Sequence, residues 1–173
     1  MALAPGVSRS GTAFHEEVVG PLRNVLNVEE SSVSLARQIA ECGDAALLPG
    51  LVSRLLGCAC EKLQVEGPIS ILRGAELTLG HSVYLSAGCE ILDNGPVRLG
   101  DCVVCGPGVK IRSEAGAPVW IGDRVWIGER VEILPGARIG DDAIICAGVR
   151  VEGEVAARTV NAGNPWRVLR VVR

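Results

Sequence analysis

The 173-residue sequence predicts an all-β solenoid, in which short strands coil around one narrow core. Between residues 119 and 153 apolar residues return at every sixth position along two parallel tracks, without interruption. Glycine recurs at or near the position after the second-track residue, where a coiling chain must turn. The composition agrees, because 48% of the residues are apolar but only 3% are aromatic, which suits an interior layered with small and β-branched side chains. The two tracks are Val119, Val125, Val131, Ala137, Ala143 and Val149, and Ile121, Ile127, Ile133, Ile139, Ile145 and Val151.

Length and charge limit the classes of protein to which the chain can belong. A length of 173 residues suits one domain with at most a small appendage. The net charge of −3 gives no electrostatic footprint for nucleic acid or for an anionic membrane, so neither is expected as a partner. No stretch is long and apolar enough to span a bilayer. We therefore expect an intracellular, cytoplasmic protein, with an organelle as the alternative because residues 1–13 contain no acidic residue.

The N-terminal third is predicted to be helical. Residues 1–13 are expected to form a flexible leader, and residues 14–60 a small helical domain. The last predicted helix begins near residue 44 and ends at Gly57, a residue type that commonly terminates helices. The helix before it should bury one face formed by Val33, Ala36, Ile39 and Ala40.

Residues 61–160 are assigned to the solenoid, because apolar residues there follow a period of two and then of six. The register slips across residues 93–96, which predicts a bulged corner. It breaks again across residues 112–118, which are predicted to form a short loop extruded from the coil. Residues 161–173 are assigned to a capping segment, with a terminal helix that starts at Pro165 and covers the open end.

The seven cysteines are expected to be free thiols in a reducing compartment. Cys89, Cys105 and Cys146 fall on or beside the inward tracks, where a thiol behaves as a small hydrophobe. Cys102-x-x-Cys105 resembles a fragment of a metal motif but lacks a second ligand pair at suitable spacing. Packing is therefore favoured over metal binding, and no metal site is predicted.

Three phrases accompany the sixfold repeat: Val125-Trp126-Ile127-Gly128, Ile133-Leu134-Pro135-Gly136, and Ala162-Gly163-Asn164-Pro165-x-Arg167-Val168. Together they resemble the hexapeptide-repeat acyltransferases, above all the maltose, galactoside and nodulation-type O-acetyltransferases, over roughly residues 30–170. The resemblance implies a left-handed parallel β-helix, triangular in section, with an N-terminal helical domain. It also implies assembly as a homotrimeric prism.

The resemblance further implies where catalysis should occur. In that family a histidine on the extruded loop takes the proton from a sugar hydroxyl, which then attacks the thioester of acetyl-CoA. Gly116 stands at the position of that histidine in this sequence, and Glu114 is the fallback base. The family's acceptor-binding asparagine aligns with Ser86, and an N-terminal acidic residue that contacts the acceptor corresponds to Glu16.

If the chain binds acetyl-CoA, the resemblance implies that Trp126, Gly148, Asn164 and Arg167 contact it. Two acidic residues, Glu129 and Glu152, stand where relatives carry other residues. They would repel a polyanionic cofactor unless nearby arginines compensate, the candidates being Arg124, Arg130 and Arg150.

Several apolar side chains alternate outward from the tracks, among them Trp120, Trp126 and Ile144. Trp126 matches the family phrase, whereas Trp120 stands where a threonine is usual. Exposed apolar side chains of this kind indicate an interface. The sequence therefore predicts burial between trimer subunits, and contacts within a larger protein assembly as a further use.

Two functions remain open from the sequence. The favoured hypothesis is a non-catalytic, trimeric scaffold or assembly subunit, because loss of the general base alone costs about 10²- to 10⁴-fold in rate. The alternative is an active acetyl-CoA-dependent O-acetyltransferase that uses Glu114, or a histidine outside the loop, as its base. A metal enzyme like the γ-type carbonic anhydrases needs several histidine ligands, and the two histidines present are His15 and His81.

Overall fold

The computed structural model describes residues 32–172, which form a left-handed parallel β-helix of about 5 turns. Sheet A consists, in spatial order, of β1 (Gln64–Val65), β4 (Tyr84–Leu85), β7 (Val104–Cys105), β10 (Trp126–Ile127), β13 (Ile144–Ile145), β16 (Thr159–Ala162) and β17 (Arg167–Val171). Sheet B consists of β2 (Ser70–Ile71), β5 (Glu90–Asp93), β8 (Lys110–Ser113), β11 (Glu132–Ile133) and β14 (Arg150–Val151). Sheet C consists of β3 (Leu77–Leu79), β6 (Val97–Leu99), β9 (Val119–Ile121), β12 (Arg138–Ile139) and β15 (Glu154–Val155). Successive strands thus occupy successive faces of a triangular prism, as the sixfold repeat predicts.

The predicted tracks form the core. Every track residue from Val119 to Val151 is at most 3% exposed, and strand pairs stack like on like, as Ile127 does on Ile145. Alternation along a strand sends one residue inward and the next outward, so the two-residue strands each bury one side chain. The interior is therefore filled in layers of valine, isoleucine and alanine.

The corners between sheets C and A are stabilised by stacked aspartates. The carboxylate Oδ1 of Asp123 accepts a hydrogen bond from the backbone N–H of Asp101 at 2.9 Å, and Asp141 accepts the same bond from Asp123 at 2.9 Å. A glycine lies under each carboxylate. A larger residue would clash there, since a Cβ atom at Gly100 would lie 2.3 Å from Oδ1 of Asp123. The next residue, Arg124 in the third of these corners, adopts a left-handed conformation with φ of 55°. The aspartates thus stabilise a turn that a non-glycine residue adopts only at a cost.

We expect Asp123→Ala to lower the free energy of unfolding by about 1–2 kcal/mol, because the N–H of Asp101 loses a charged acceptor. Urea denaturation followed by circular dichroism, at one fixed protein concentration, measures this change. The matched control is Asp123→Asn, whose side-chain oxygen still accepts the bond and which should lose clearly less stability. Equal losses in the two variants would contradict the role given to the acceptor.

Two helices cover the first coil. Helix α1 occupies residues 32–41, and α2 spans Leu48–Leu56 with Gly57 ending it in a left-handed conformation, as predicted. The buried face of α1 agrees with the prediction only in part: Ile39 is buried and Ala36 is half-buried, but Val33 is 66% exposed, Ala40 is exposed, and Leu35 is buried instead. Packing against α2 and the first coil selects this face, and the helical period alone left the choice between neighbouring faces open. The leader, His15 and Glu16 lie outside the described residues.

The C-terminal segment corrects one prediction. Residues Arg167–Val171 form strand β17, not a helix, and this strand pairs antiparallel with β16 at the edge of sheet A. The physical reason is twofold: valine at positions 168 and 171 favours extended backbone, and β16 offers an unpaired edge. Strand β17 thus extends sheet A beyond β16 and is exposed along its length, whereas Trp166 packs against the core at this end of the solenoid.

No helix in the described part of the chain is both long and apolar enough to cross a membrane.

Candidate functional site

The connection between β8 and β9 is a tight turn. The backbone groups of Glu114 and Ala117 pair with each other, with the N–H of Ala117 donating to the carbonyl of Glu114 at 2.9 Å. Ala115 and Gly116 form the tip, and Gly116 has a φ of 113°. The predicted extruded loop is thus reduced to a two-residue hairpin turn, exposed at its tip.

The base of this turn is fixed from below. The hydroxyl of Ser113, which is 1% exposed, donates to the carbonyl of Gly95 at 2.7 Å and accepts from the N–H of the same residue at 3.2 Å. Gly95 approaches so closely that a Cβ there would lie 2.1 Å from the carbonyl oxygen of Glu114. These contacts hold the turn against the preceding coil. The exposed tip could bend back over the strands only if the hydrogen bonds between Ser113 and Gly95 were broken.

A groove of about 450 Å³ lies at the corner between sheets A and B, and we call it the corner groove. Its walls are mostly apolar, and they come from three successive coils. The side chains that form it are Pro107, Trp126, Glu129, Ile144, Cys146 and Ala147. Of these, the sequence resemblance identified Trp126 as a cofactor contact, and the structure places it in the groove with 56% of its surface exposed.

Two backbone donors face no acceptor at this corner. The N–H groups of Glu129 and Ala147 make no hydrogen bond within the described residues. Amides beside them do bond to neighbouring coils: the N–H of Gly128 donates to Ile145 in the next coil, and the N–H of Gly148 donates to Glu129 in the preceding one. Such N–H groups beside an apolar groove suit a ligand that carries carbonyl oxygens on an apolar chain. Sequence reasoning missed these donors, although their position, two residues after an inward isoleucine, follows from the repeat.

The charges around the groove are partly compensated. Oε1 of Glu129 lies 2.5 Å from a guanidinium nitrogen of Arg130, so the positive charge of Arg130 partly neutralises the carboxylate at the groove. Arg124 is not available for this purpose, because it binds Asp142 through two hydrogen bonds of 2.7 and 3.0 Å. That pairing raises the pKa of Arg124 and lowers the pKa of Asp142. Arg150 remains exposed beside a second cleft of about 530 Å³.

The other predicted cofactor residues lie near this second cleft or in the strands that frame it. The side chain of Asn164 makes two hydrogen bonds within the chain: its Nδ2 donates to the carbonyl of Gly148 at 2.8 Å, and its Oδ1 accepts from the N–H of Arg150 at 2.9 Å. Asn164 therefore anchors the C-terminal segment to the corner below it. Arg167 is exposed at the start of β17.

The predicted acceptor and base residues do not lie in the corner groove. Ser86 is 5% exposed, and Glu114 is exposed in the turn at the corner between sheets B and C. His81, the one histidine among the described residues, lies at a corner between sheets C and A with its Nδ1 3.1 Å from Glu61. Neither His81 nor Glu114 lines the groove.

The thiols follow the predicted packing. Cys89 and Cys105 are buried, and Cys102 is exposed at a corner, whereas Cys146 is only half-buried and lines the corner groove. Burial raises the pKa of Cys89 to about 11 and the pKa of Cys105 well above its usual range, so both remain protonated thiols at neutral pH. Within residues 32–172 no group of three or more His, Cys, Asp or Glu side chains is arranged to hold a metal ion.

Comparisons with known proteins place these features in a family. A family profile described as bacterial transferase hexapeptide (six repeats) matches residues 118–153. The Saccharomyces cerevisiae protein YJL218W, named as an acetyltransferase, is 33% identical over 136 residues, covering 70% of this chain and 69% of its own. Galactoside O-acetyltransferase of Escherichia coli is 32% identical over 137 residues, covering 70% and 67%. The structure of a hexapeptide-repeat acetyltransferase of Vibrio cholerae complexed with acetyl-CoA superposes with a TM-score of 0.77 at 25% identity, covering 89% of this chain and 92% of that one.

Proposed function

The chain belongs to the hexapeptide-repeat acetyltransferase family, and on that premise we propose that it binds acetyl-CoA in the corner groove but transfers the acetyl group far more slowly than its enzymatic relatives. It then serves as a trimeric assembly subunit. The observation that carries this proposal is the two-residue turn at Gly116, whose tip residues Ala115 and Gly116 carry no side chain able to take a proton from an acceptor hydroxyl.

The corner groove supports the binding half of the proposal. When bound, acetyl-CoA supplies an activated acetyl group as a thioester. The apolar walls at Trp126 and Ile144 suit its extended thiol arm, and the free N–H groups of Glu129 and Ala147 can donate to its carbonyl oxygens. The pairing of Glu129 with Arg130 reduces repulsion of the cofactor's phosphates.

The turn supports the loss of transfer. A general base must approach the acceptor hydroxyl to within hydrogen-bond distance, and it works best when its pKa lies near the operating pH. Glu114 is the ionisable residue of the turn, and its side chain is exposed to solvent. A carboxylate that is fully solvated by water is a weak base toward a hydroxyl group. We therefore expect binding without efficient proton abstraction.

The outward column of sheet A supports the assembly half. Tyr84, Val104, Trp126 and Ile144 stand in register on successive strands of this face. A contiguous apolar column on an otherwise charged prism fits burial against other copies of the chain. Sedimentation equilibrium should accordingly report a mass close to three times 18.1 kDa.

An active O-acetyltransferase with Glu114 as its base is the second candidate. The retained groove, with two free N–H donors, favours it. In an enzyme of this kind the turn would supply its carboxylate to a hydroxyl acceptor held near the thioester.

Calorimetric titration with acetyl-CoA, followed by assay of CoA release with a galactoside or maltose, tests the proposal. We expect saturable binding, with acceptor-dependent CoA release about 10²- to 10⁴-fold slower than that of galactoside O-acetyltransferase under the same conditions. Acceptor-dependent release within tenfold of that enzyme's rate would overturn the non-catalytic assignment, and its loss in Glu114→Gln would establish the second candidate. Absence of binding at millimolar acetyl-CoA would overturn the groove assignment itself.

A further inference from the structure

The outer face of sheet C carries one unusual row of side chains. Arg98 pairs in register with Trp120, and Trp120 pairs in register with Arg138, so that the three side chains stand on adjacent strands and face outward. Both arginines are exposed, and Trp120 is 37% exposed. We call these three residues the Arg–Trp–Arg row.

The two guanidinium groups of the row have no partner in the described part of the chain. Neither side chain takes part in a hydrogen bond or an ion pair there, even though Glu154 is the next residue along the row after Arg138. Three other outward arginines of the coils are paired: Arg112 with Glu132 at 3.7 Å, Arg124 with Asp142 at 2.7 Å, and Arg130 with Glu129 at 2.5 Å. Two unpaired positive charges with an indole between them complement an anionic partner that also carries an apolar side chain.

The spacing of the row favours a helical partner. Neighbouring strands lie about 4.8 Å apart, so Arg98 and Arg138 are separated by about 10 Å along the prism axis. An α-helix rises about 1.5 Å per residue, so its residues i and i+7 lie about 10.5 Å apart on one face, with residue i+4 between them. Glu154 lies one strand beyond Arg138 in the same row. On the helix the corresponding position is i+11, where a basic residue would face Glu154.

We propose that the Arg–Trp–Arg row is a docking surface for an acidic amphipathic helix of a partner protein. The partner places carboxylates at i and i+7 against Arg98 and Arg138, an apolar side chain at i+4 over Trp120, and a basic residue at i+11 against Glu154. Nucleic acid, which the net charge of −3 disfavours, is the competing occupant. This inference rests on the proposed assembly role, to which it adds a partner. The Arg–Trp–Arg row lies on sheet C, apart from the corner groove between sheets A and B.

A synthetic helical peptide with Glu, Leu, Glu and Lys at i, i+4, i+7 and i+11, labelled with fluorescein, is the probe for an anisotropy titration of the full chain. We expect saturable binding that weakens at least about tenfold in Arg98→Glu/Arg138→Glu and in Trp120→Ala. The matched control is Arg54→Glu/Arg73→Glu, which changes the net charge equally at two exposed arginines elsewhere and should bind as the unaltered chain does. A second peptide, in which Lys replaces both Glu residues and Glu replaces the Lys, should not bind.

Three results would overturn the inference. They are absence of saturable binding at millimolar peptide, an equal loss in the control variant, and tighter binding of a 20-nucleotide oligo(dT) that depends on Arg98 and Arg138. Circular dichroism of each variant confirms that the fold is retained. Because the titration contains no acetyl-CoA, its failure leaves the groove proposal intact, and acceptor-dependent CoA release would leave the docking surface intact.

Discussion

Ile133→Asp should leave no folded protein. Ile133 is fully buried on an inward track, stacked between Ile111 and Val151 on the neighbouring strands of sheet B. An aspartate there places an unpaired carboxyl group in an apolar layer and also removes the isoleucine packing. Such changes cost more than about 4–5 kcal/mol, against a total stability of about 5–15 kcal/mol for a typical domain.

The measurement is the soluble yield together with the thermal transition followed by circular dichroism. Two control variants isolate the cause. Ile133→Val, which keeps an apolar side chain, should cost only about 0.5–1.5 kcal/mol. Glu132→Asp places an aspartate one residue earlier, on the outward side of the same strand, and should retain the fold. A cooperative transition for Ile133→Asp within a few degrees of the unaltered chain would refute the inward assignment of the track.

Ala147→Trp should abolish or greatly weaken acetyl-CoA binding. Ala147 is exposed at the corner and lines the corner groove, so an indole there occupies space that the thiol arm needs. Overfilling a site costs about 1–3 kcal/mol, and each 1.4 kcal/mol corresponds to about a tenfold change in Kd. We therefore expect the Kd to rise by about 10- to 100-fold in calorimetry.

The matched control is Ala157→Trp, which makes the same change at an exposed alanine in a corner between sheets C and A. This variant should bind acetyl-CoA with an unchanged Kd. If Ala147→Trp binds as tightly as Ala157→Trp, the cofactor does not occupy the corner groove.

The coil could be predicted from the sequence because its determinants are local and repeated. The alternation of apolar and polar residues predicts that side chains such as those of Val125 and Ile127 point inward, and the period of six predicts which strands stack on each other. The C-terminal strand could not be predicted in this way. It forms an antiparallel hairpin with β16, a pairing that departs from the sixfold repeat, and Pro165 in the sequence suggested a helix start instead.

The candidate site was predictable only in part. The resemblance located Gly116 and Trp126, but the corner groove is assembled from residues that lie one coil apart, such as Pro107, Glu129 and Ala147. No single stretch of sequence contains that cavity. The pairing of outward charges could not be predicted either, because the partners of Arg124 and Arg112 lie one coil away. The sequence therefore does not show that Arg98 and Arg138 differ from them in having no partner.

The central claim is that the chain holds acetyl-CoA without a base to use it. A single-turnover experiment tests this most directly: protein in excess over radiolabelled acetyl-CoA, with saturating galactoside, compared with galactoside O-acetyltransferase under identical conditions. We predict that the label stays on CoA, with transfer about 10²- to 10⁴-fold slower than in that enzyme. Transfer of the label to the sugar within tenfold of the enzyme's rate would contradict the claim.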